Sequence, residues 1–303
     1  MFVIQYRKIF ISISIAIVAL SFVFIAMFGL KFGIDFKGGS ALGYTYTGVR
    51  PEVTTLKAVL SNAGFGDASV QPTGDNGVLI KSRDLSEGER SSLVDVLTLN
   101  NTAPGIQNSF TTIGPSVGSE LKRKAVVSIV LVLLSIILFV AYAFRKVSKP
   151  VSSWKYGFAV IIALAHDIII PTGAFALLSH FYGAEIDTLF IVALLTTLAL
   201  SVSDTIVVFD RIRENLGKKD ALQHDSFETI VGQSLSETFV RSINTSLMVL
   251  VMVLTLAIVG PASTRLFAVV LAIGMFFGTY SSIFLASPLL VVMERFQKKD
   301  GNK

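Results

Sequence analysis

Residues Thr188–Phe209 read TLFIVALLTTLALSVSDTIVVF, and Asp210-Arg211-Ile212-Arg213 follow directly. About 20 apolar residues at 1.5 Å rise span a hydrocarbon core of roughly 30 Å, so this run is long enough to cross a bilayer. Its single charged residue, Asp204, costs about 2.5–3.5 kcal/mol at the centre of a membrane helix. Such a residue must face the protein interior or water rather than acyl chains. Similar runs lie at about 9–30, 125–144, 157–178, 242–260 and 266–290. With 52% hydrophobic and 16% charged residues, and a mean hydropathy of +0.69, the chain reads as a polytopic membrane protein. Soluble domains carry about 25% charged residues.

The basic residues set the expected topology. Arg7 and Lys8 precede the first run, and Arg145, Lys146, Lys149 and Lys155 follow the second. Arg211, Arg213, Lys218 and Lys219 follow the fourth, and Arg295, Lys298, Lys299 and Lys303 close the chain. The short loops on the other side, 179–187 and 260–265, carry only Arg265. The bias places both termini in the cytoplasm. Lys122, Arg123 and Lys124 run against it, in a long translocated segment where the rule is weak. The +5 net charge is thereby assigned to topology rather than to nucleic acid. The first run, with no small-residue cleavage site after it, is expected to stay as a helix. No cysteine is present, which excludes disulfides and thiolate chemistry.

Residues 31–124 form the one expected soluble domain, between a first membrane segment at 1–30 and five more helices over 125–303. Alternation over Ala41–Thr47 predicts a strand, and Pro51 opens a helix to about Ala63. Ser69–Gln71 and Val78–Lys81 predict two strands around a Gly-Asp-Asn-Gly turn at 74–77. Ser86 and Glu89 have capping-box spacing for a second helix, and Gln107–Ile113 predicts a last strand. The order β-α-β-β-α-β is that of a ferredoxin-like α+β domain. Phe227, Ile230, Val231, Leu235 and Phe239 predict an amphipathic helix within Gln223–Val240, part of a cytoplasmic connector at about 211–240. It is read as an interfacial element against lipid, with a partner contact as the alternative.

Three groups of residues are candidates for chemistry. Thr197, Ser201, Asp204 and Arg211 share one helical stripe, and Arg241 is the natural counter-charge if helices four and five are neighbours. An aspartate that alternately pairs with arginine and takes a proton can drive a rearrangement. The competing readings are a structural carboxylate bonded to serines of a neighbouring helix, and an arginine that snorkels to lipid phosphates. His166 and Asp167 lie before Pro171, where a broken helix beside an ionisable pair suits an ion site or mere architecture. Gly274, Gly278 and Ser282 make a small-residue stripe for close packing. Asp210 has the look of a solvated helix end. No Walker loop, dinucleotide fingerprint or zincin motif occurs, so no cofactor, metal site or enzymatic activity is expected.

Longer motifs add a resemblance. Gly33-Ile-Asp35-Phe-Lys-Gly38-Gly39 resembles the segment that joins the first helix to the outer domain in the SecD/SecF family of protein-export membrane proteins. Ser201-Val-Ser-Asp-Thr-Ile-Val-Val-Phe-Asp-Arg-Ile-Arg-Glu-Asn215 resembles the family's helix-four motif, with Ser203 where the family often has Asn. Arg241-Ser-Ile-Asn-Thr-Ser246 and Gly278–Pro288 are similar to further family motifs. The resemblance spans nearly the whole chain. It implies half of a twelve-helix assembly of the resistance-nodulation-division type in the bacterial inner membrane, completed by a SecD partner. It also implies assistance of preprotein export through the SecYEG channel, driven by the proton gradient. Carried over by motif, Asp204 is the proton-relay aspartate and Arg241 the functional arginine. Ser201, His166, Asp167 and Asp210 fall in motifs without assigned roles, and Gly33, Asp35, Gly38 and Gly39 are structural. Whether the coupling ion is H+ or Na+ stays open. A small-solute exporter of the same superfamily and a passive scaffold for SecD are the rival functions.

Overall fold

In the computed structural model, residues 2–99, 101–145, 153–218 and 225–301 are described. Lys146, Lys149, Lys219 and Lys303 of the charge argument, and Gln223 of the expected connector, lie outside them. Among the described residues, six helices are long and apolar enough to cross a membrane: Arg7–Phe28, Pro115–Ala143, Trp154–Tyr182, Thr188–Leu216, Phe227–Val259 and Ser263–Arg295. They are called helices one to six below.

Helices three and six form the centre of the bundle, with 56% and 61% of their apolar windows buried against 6% for helix two. Helix three packs against both helix one and helix six. At the first of these contacts, a Cβ on Gly173 would overlap the Ser21 Cβ, so only glycine lets the backbones approach so closely. One end of the bundle is closed by aromatic packing. Phe144 stacks on Tyr156 with centroids 5.3 Å apart, and Phe209 meets Tyr156 edge-on at 5.4 Å. Helix six contains a π-helical turn at Ser282–Ala286.

The expected connector at 211–240 is redistributed. Residues 211–216 complete helix four, and residues 227–240 are the first turns of helix five, which runs unbroken over Phe227–Val259. Ser226 caps its start by accepting from the Thr229 N–H at 3.2 Å. The apolar face is genuine, but Phe227, Ile230, Val231 and Leu235 bury against the bundle instead of lying on lipid.

The α+β unit comprises residues 31–127 with 183–188. Its strands β1 (Gly39–Tyr46), β2 (Ser69–Thr73), β3 (Gly77–Ser82) and β4 (Gly105–Ile113) form a sheet in the order β2-β3-β1-β4, every neighbour antiparallel. This is the split βαβ arrangement expected from the element order. Leu42, Tyr44 and Tyr46 of β1 point to the same side and bury against Leu56 and Leu60 of helix Val53–Asn62 and Leu93 and Leu97 of helix Glu87–Leu97. The Tyr46 hydroxyl donates to the Leu97 carbonyl at 3.3 Å, and burial pushes its pKa up to about 12. The capping box forms as spaced: Glu89 N–H donates to Ser86 Oγ, and the Ser86 N–H donates to Glu89 Oε2 at 2.9 Å.

Candidate functional site

Among the described residues, Asp167 of helix three is the most enclosed ionisable side chain, with no exposed surface. His166 Nδ1 lies 2.9 Å from its Oδ1, Ser281 Oγ of helix six donates to its Oδ2 at 2.9 Å, and Ser201 Oγ of helix four donates to the same oxygen. The His166 ring stacks on Tyr280, and its Nε2 is buried without a hydrogen-bond partner among the described residues. One carboxylate thus ties three helices together. The break expected at Pro171 does not occur, since helix three runs from Ser153 to Tyr182 through it. Thr172 Oγ1 donates to the Ile168 carbonyl, the back-bond to i−4 that threonine makes inside helices.

Helices four and six meet in register. A Cβ on Gly274 would overlap Thr197 Oγ1, and one on Gly278 would lie 3.1 Å from the Ser201 Cβ. Four residues further, the Ser282 and Thr205 hydroxyls stand 2.8 Å apart. Two stripes of four-residue spacing therefore lie in step, which brings Ser201 close enough for its bond to Asp167.

Asp204, at the edge of the same stripe of helix four, turns toward helix five and is half-buried there. Ser246 Oγ donates to its Oδ2 at 2.9 Å. The expected pairing with Arg241 is absent, for a geometric reason. Helices four and five are antiparallel, with Asp204 beside Ser246 and Arg211 beside Glu237. That register sets Arg241 level with about residue 208, roughly 6 Å along the axis from Asp204. Arg241 is exposed and forms no ion pair among the described residues. An ionised carboxylate offers about four acceptor positions. Asp167 uses three and Asp204 one, so Asp204 is the carboxylate free to change partners.

Of the remaining candidates, Asp210 is exposed and ion-pairs with Arg213 one turn on. Gly33, Asp35, Gly38 and Gly39 are gathered in the α+β unit. The Gly33 N–H donates to the Ile186 carbonyl at 2.8 Å. Asp35 Oδ2 accepts from the Thr188 N–H at 2.8 Å and from its hydroxyl at 2.7 Å, satisfying an orphan donor at the start of helix four. Gly38 and Gly39 have φ of +80° and +140°, and a Cβ on Gly39 would overlap the Ser82 carbonyl oxygen. Ser246 and Ser281 lie inside motifs quoted by resemblance but were given no role of their own, and Glu237 was not singled out, its i,i+4 spacing before Arg241 being the signal available.

Fold and site define a class: a six-helix membrane protein with a ferredoxin-like insertion after its first helix and ionisable residues held between its helices. Residues 96–296 match the family "Protein export membrane protein SecD/SecF, C-terminal", and residues 23–46 match the "SecD/SecF GG Motif". The chain belongs to the SecD/SecF family. It is 38% identical to the protein translocase subunit SecF of Thermobaculum terrenum, over 96% of this chain and 93% of that protein. With the SecF of Anaerolinea thermophila it shares 35% identity, over 95% and 92%. The crystal structure of SecDF from Thermus thermophilus, a translocon-associated membrane protein, superposes with a TM-score of 0.82 at 32% identity. That match covers 96% of this chain but only 38% of the longer SecDF chain.

Proposed function

We propose that this chain is an auxiliary, non-enzymatic subunit of the Sec protein translocase. With a SecD-type partner in the bacterial inner membrane, it uses the proton gradient to promote passage of preproteins through SecYEG. Its kinship with translocase subunits supports the export role, and the existence of relatives named SecDF supports the partner. The observation that carries the coupling is the half-buried Asp204, bonded by one hydroxyl and set about one helical turn from an arginine that forms no ion pair among the described residues.

In this reading the deprotonated Asp204 draws the Arg241 side chain inward along helix five. Protonation removes the attraction and returns the carboxyl to Ser246. The alternation would shift helix five against helix four and reach the α+β domain, which holds or releases the emerging preprotein. The orientation has both termini cytoplasmic. Glu228 bonds Arg7 at 2.5 Å and Arg295 at 2.6 Å, which puts the starts of helices one and five on one side with the end of helix six, and the basic-residue bias supports that side being cytoplasmic.

The test is affinity purification of the full chain from native membranes, then reconstitution of what it carries with the channel. A SecD-type protein should co-purify and export should rise when a proton gradient is imposed. Export indifferent to the gradient would overturn the reading.

A further inference from the structure

A cavity of about 470 Å³ opens between the end of helix four and the start of helix five. Five charged residues line it: Asp210, Arg211, Glu214, Glu237 and Arg241. Four of them are engaged. Asp210 pairs with Arg213, and Arg211 donates to Glu214 at 2.6 Å and to Glu237 at 2.5 Å. Arg241 alone forms no ion pair among the described residues.

That solitude needs a cause. Glu237 and Arg241 are four residues apart on one helix with the acid first, the orientation in which such pairs form most readily. The pair does not form, and Glu237 is engaged instead by other donors. Besides Arg211, its carboxylate accepts from Asn215 Nδ2 at 2.9 Å and from Gln233 Nε2 at 3.0 Å. Two of these three donors come from helix four. Arg241 therefore stands between two carboxylates, Asp204 about one turn inward and Glu237 one turn outward, and the outer one is already engaged by three donors.

We propose that Arg211, with Asn215, is a positioning residue: it holds Glu237 and so keeps Arg241 available to Asp204. Exposed ion pairs add little to stability, so a clamp built only for stability would be a poor use of three donors on one carboxylate. The inference rests on the Asp204–Arg241 reading above.

Two measurements on the full-length chain with its partner test it. First, Arg241→Lys allows a water-soluble carbodiimide to join the introduced ammonium's Nζ to a carboxylate in contact, forming an amide with net loss of water. Mass spectrometry of digests then reads the 237–241 link. Its yield should rise about twofold or more when Arg211→Gln is added, the population shift that a helix i,i+4 ion pair supplies. Second, Arg211→Gln should reduce gradient-driven export by a similar factor, and Arg211→Gln with Glu237→Gln should restore it, because the competing carboxylate is gone.

Equal link yields overturn the clamp whatever export does. A raised yield with no export defect, or a defect that Glu237→Gln does not rescue, overturns the positioning role. If Asp204→Asn and Arg241→Gln both leave export unchanged, the underlying reading fails, and that pair of variants identifies it as the point of failure.

Discussion

Ser246 on helix five donates its hydroxyl to Asp204 Oδ2 at 2.9 Å, and this bond sets the level at which helices four and five meet. It leaves Arg241 one turn away in a water-accessible cavity, lined also by Asp210 and Glu237. A single neutral donor is weak confinement for a carboxylate inside a bundle. Asp167, by contrast, is held by histidine and two serines. The bundle therefore holds one carboxylate fast and leaves another able to exchange its partner.

The contact between helices four and six can be tested by adding single methyl groups. Gly274→Ala drives a Cβ into Thr197 Oγ1, whereas Gly278→Ala meets Ser201 at 3.1 Å. Overpacking of this sort costs about 1–3 kcal/mol. Thermal unfolding in detergent should show a clear loss for Gly274→Ala and a small one for Gly278→Ala. Adding Thr197→Ala to Gly274→Ala should recover most of the loss. Equal effects at the two glycines would contradict the observed register.

Removing donors from Asp167 should destabilise without abolishing assembly. Hydrogen bonds to charged groups contribute about 1.5–3 kcal/mol. Ser281→Ala and Ser201→Ala should each lower the unfolding midpoint. Asp167→Asn, which removes the buried charge and keeps the shape, should cost less than Asp167→Ala. A silent Ser281→Ala would mean that helix six is held to helix three by packing alone.

A pH effect is expected in the α+β domain. Arg83 and Ser86 hold the Glu89 carboxyl down at about 2, against an ordinary value of 4.5. A depressed carboxylate contributes stability that is fully present above its unfolded pKa and is lost as pH falls through the folded one. Amide exchange in helix Glu87–Leu97 should therefore speed up as pH is lowered from about 4.5 toward 2, beyond the intrinsic rate change. Glu89→Gln should exchange faster already at neutral pH and lose that dependence. The group is exposed, so high salt should shrink the effect.

Much of this architecture was legible in the residues, and the reasons differ by element. Apolar runs of membrane-spanning length marked all six helices, because hydrocarbon thickness sets a length that sequence must meet. The Ser86–Glu89 spacing and the alternation at Ala41–Thr47 marked a helix start and a central strand, because both are local. The Gly274–Gly278–Ser282 stripe and the Thr197–Ser201 part of its partner were visible, but that they meet was not, since register between helices depends on packing that no single segment encodes. The same limit explains Arg241. Its charge and depth suggested a meeting with Asp204, while the offset set by Ser246 and the occupation of Glu237 are properties of the assembled pair of helices. The apolar face at Phe227–Leu235 was read correctly as amphipathic and wrongly as interfacial. A periodic stripe says that a face is covered and leaves open what covers it.

The gradient-dependent increment of export in proteoliposomes containing the channel, the SecD-type partner and this chain as Asp204→Asn tests the central claim most directly. Asparagine keeps the shape and can still accept from Ser246, yet can neither bind nor release a proton. The account predicts an assembled complex with unchanged gradient-independent export and no increment when the proton gradient is imposed. An increment equal to that of the native chain would contradict it.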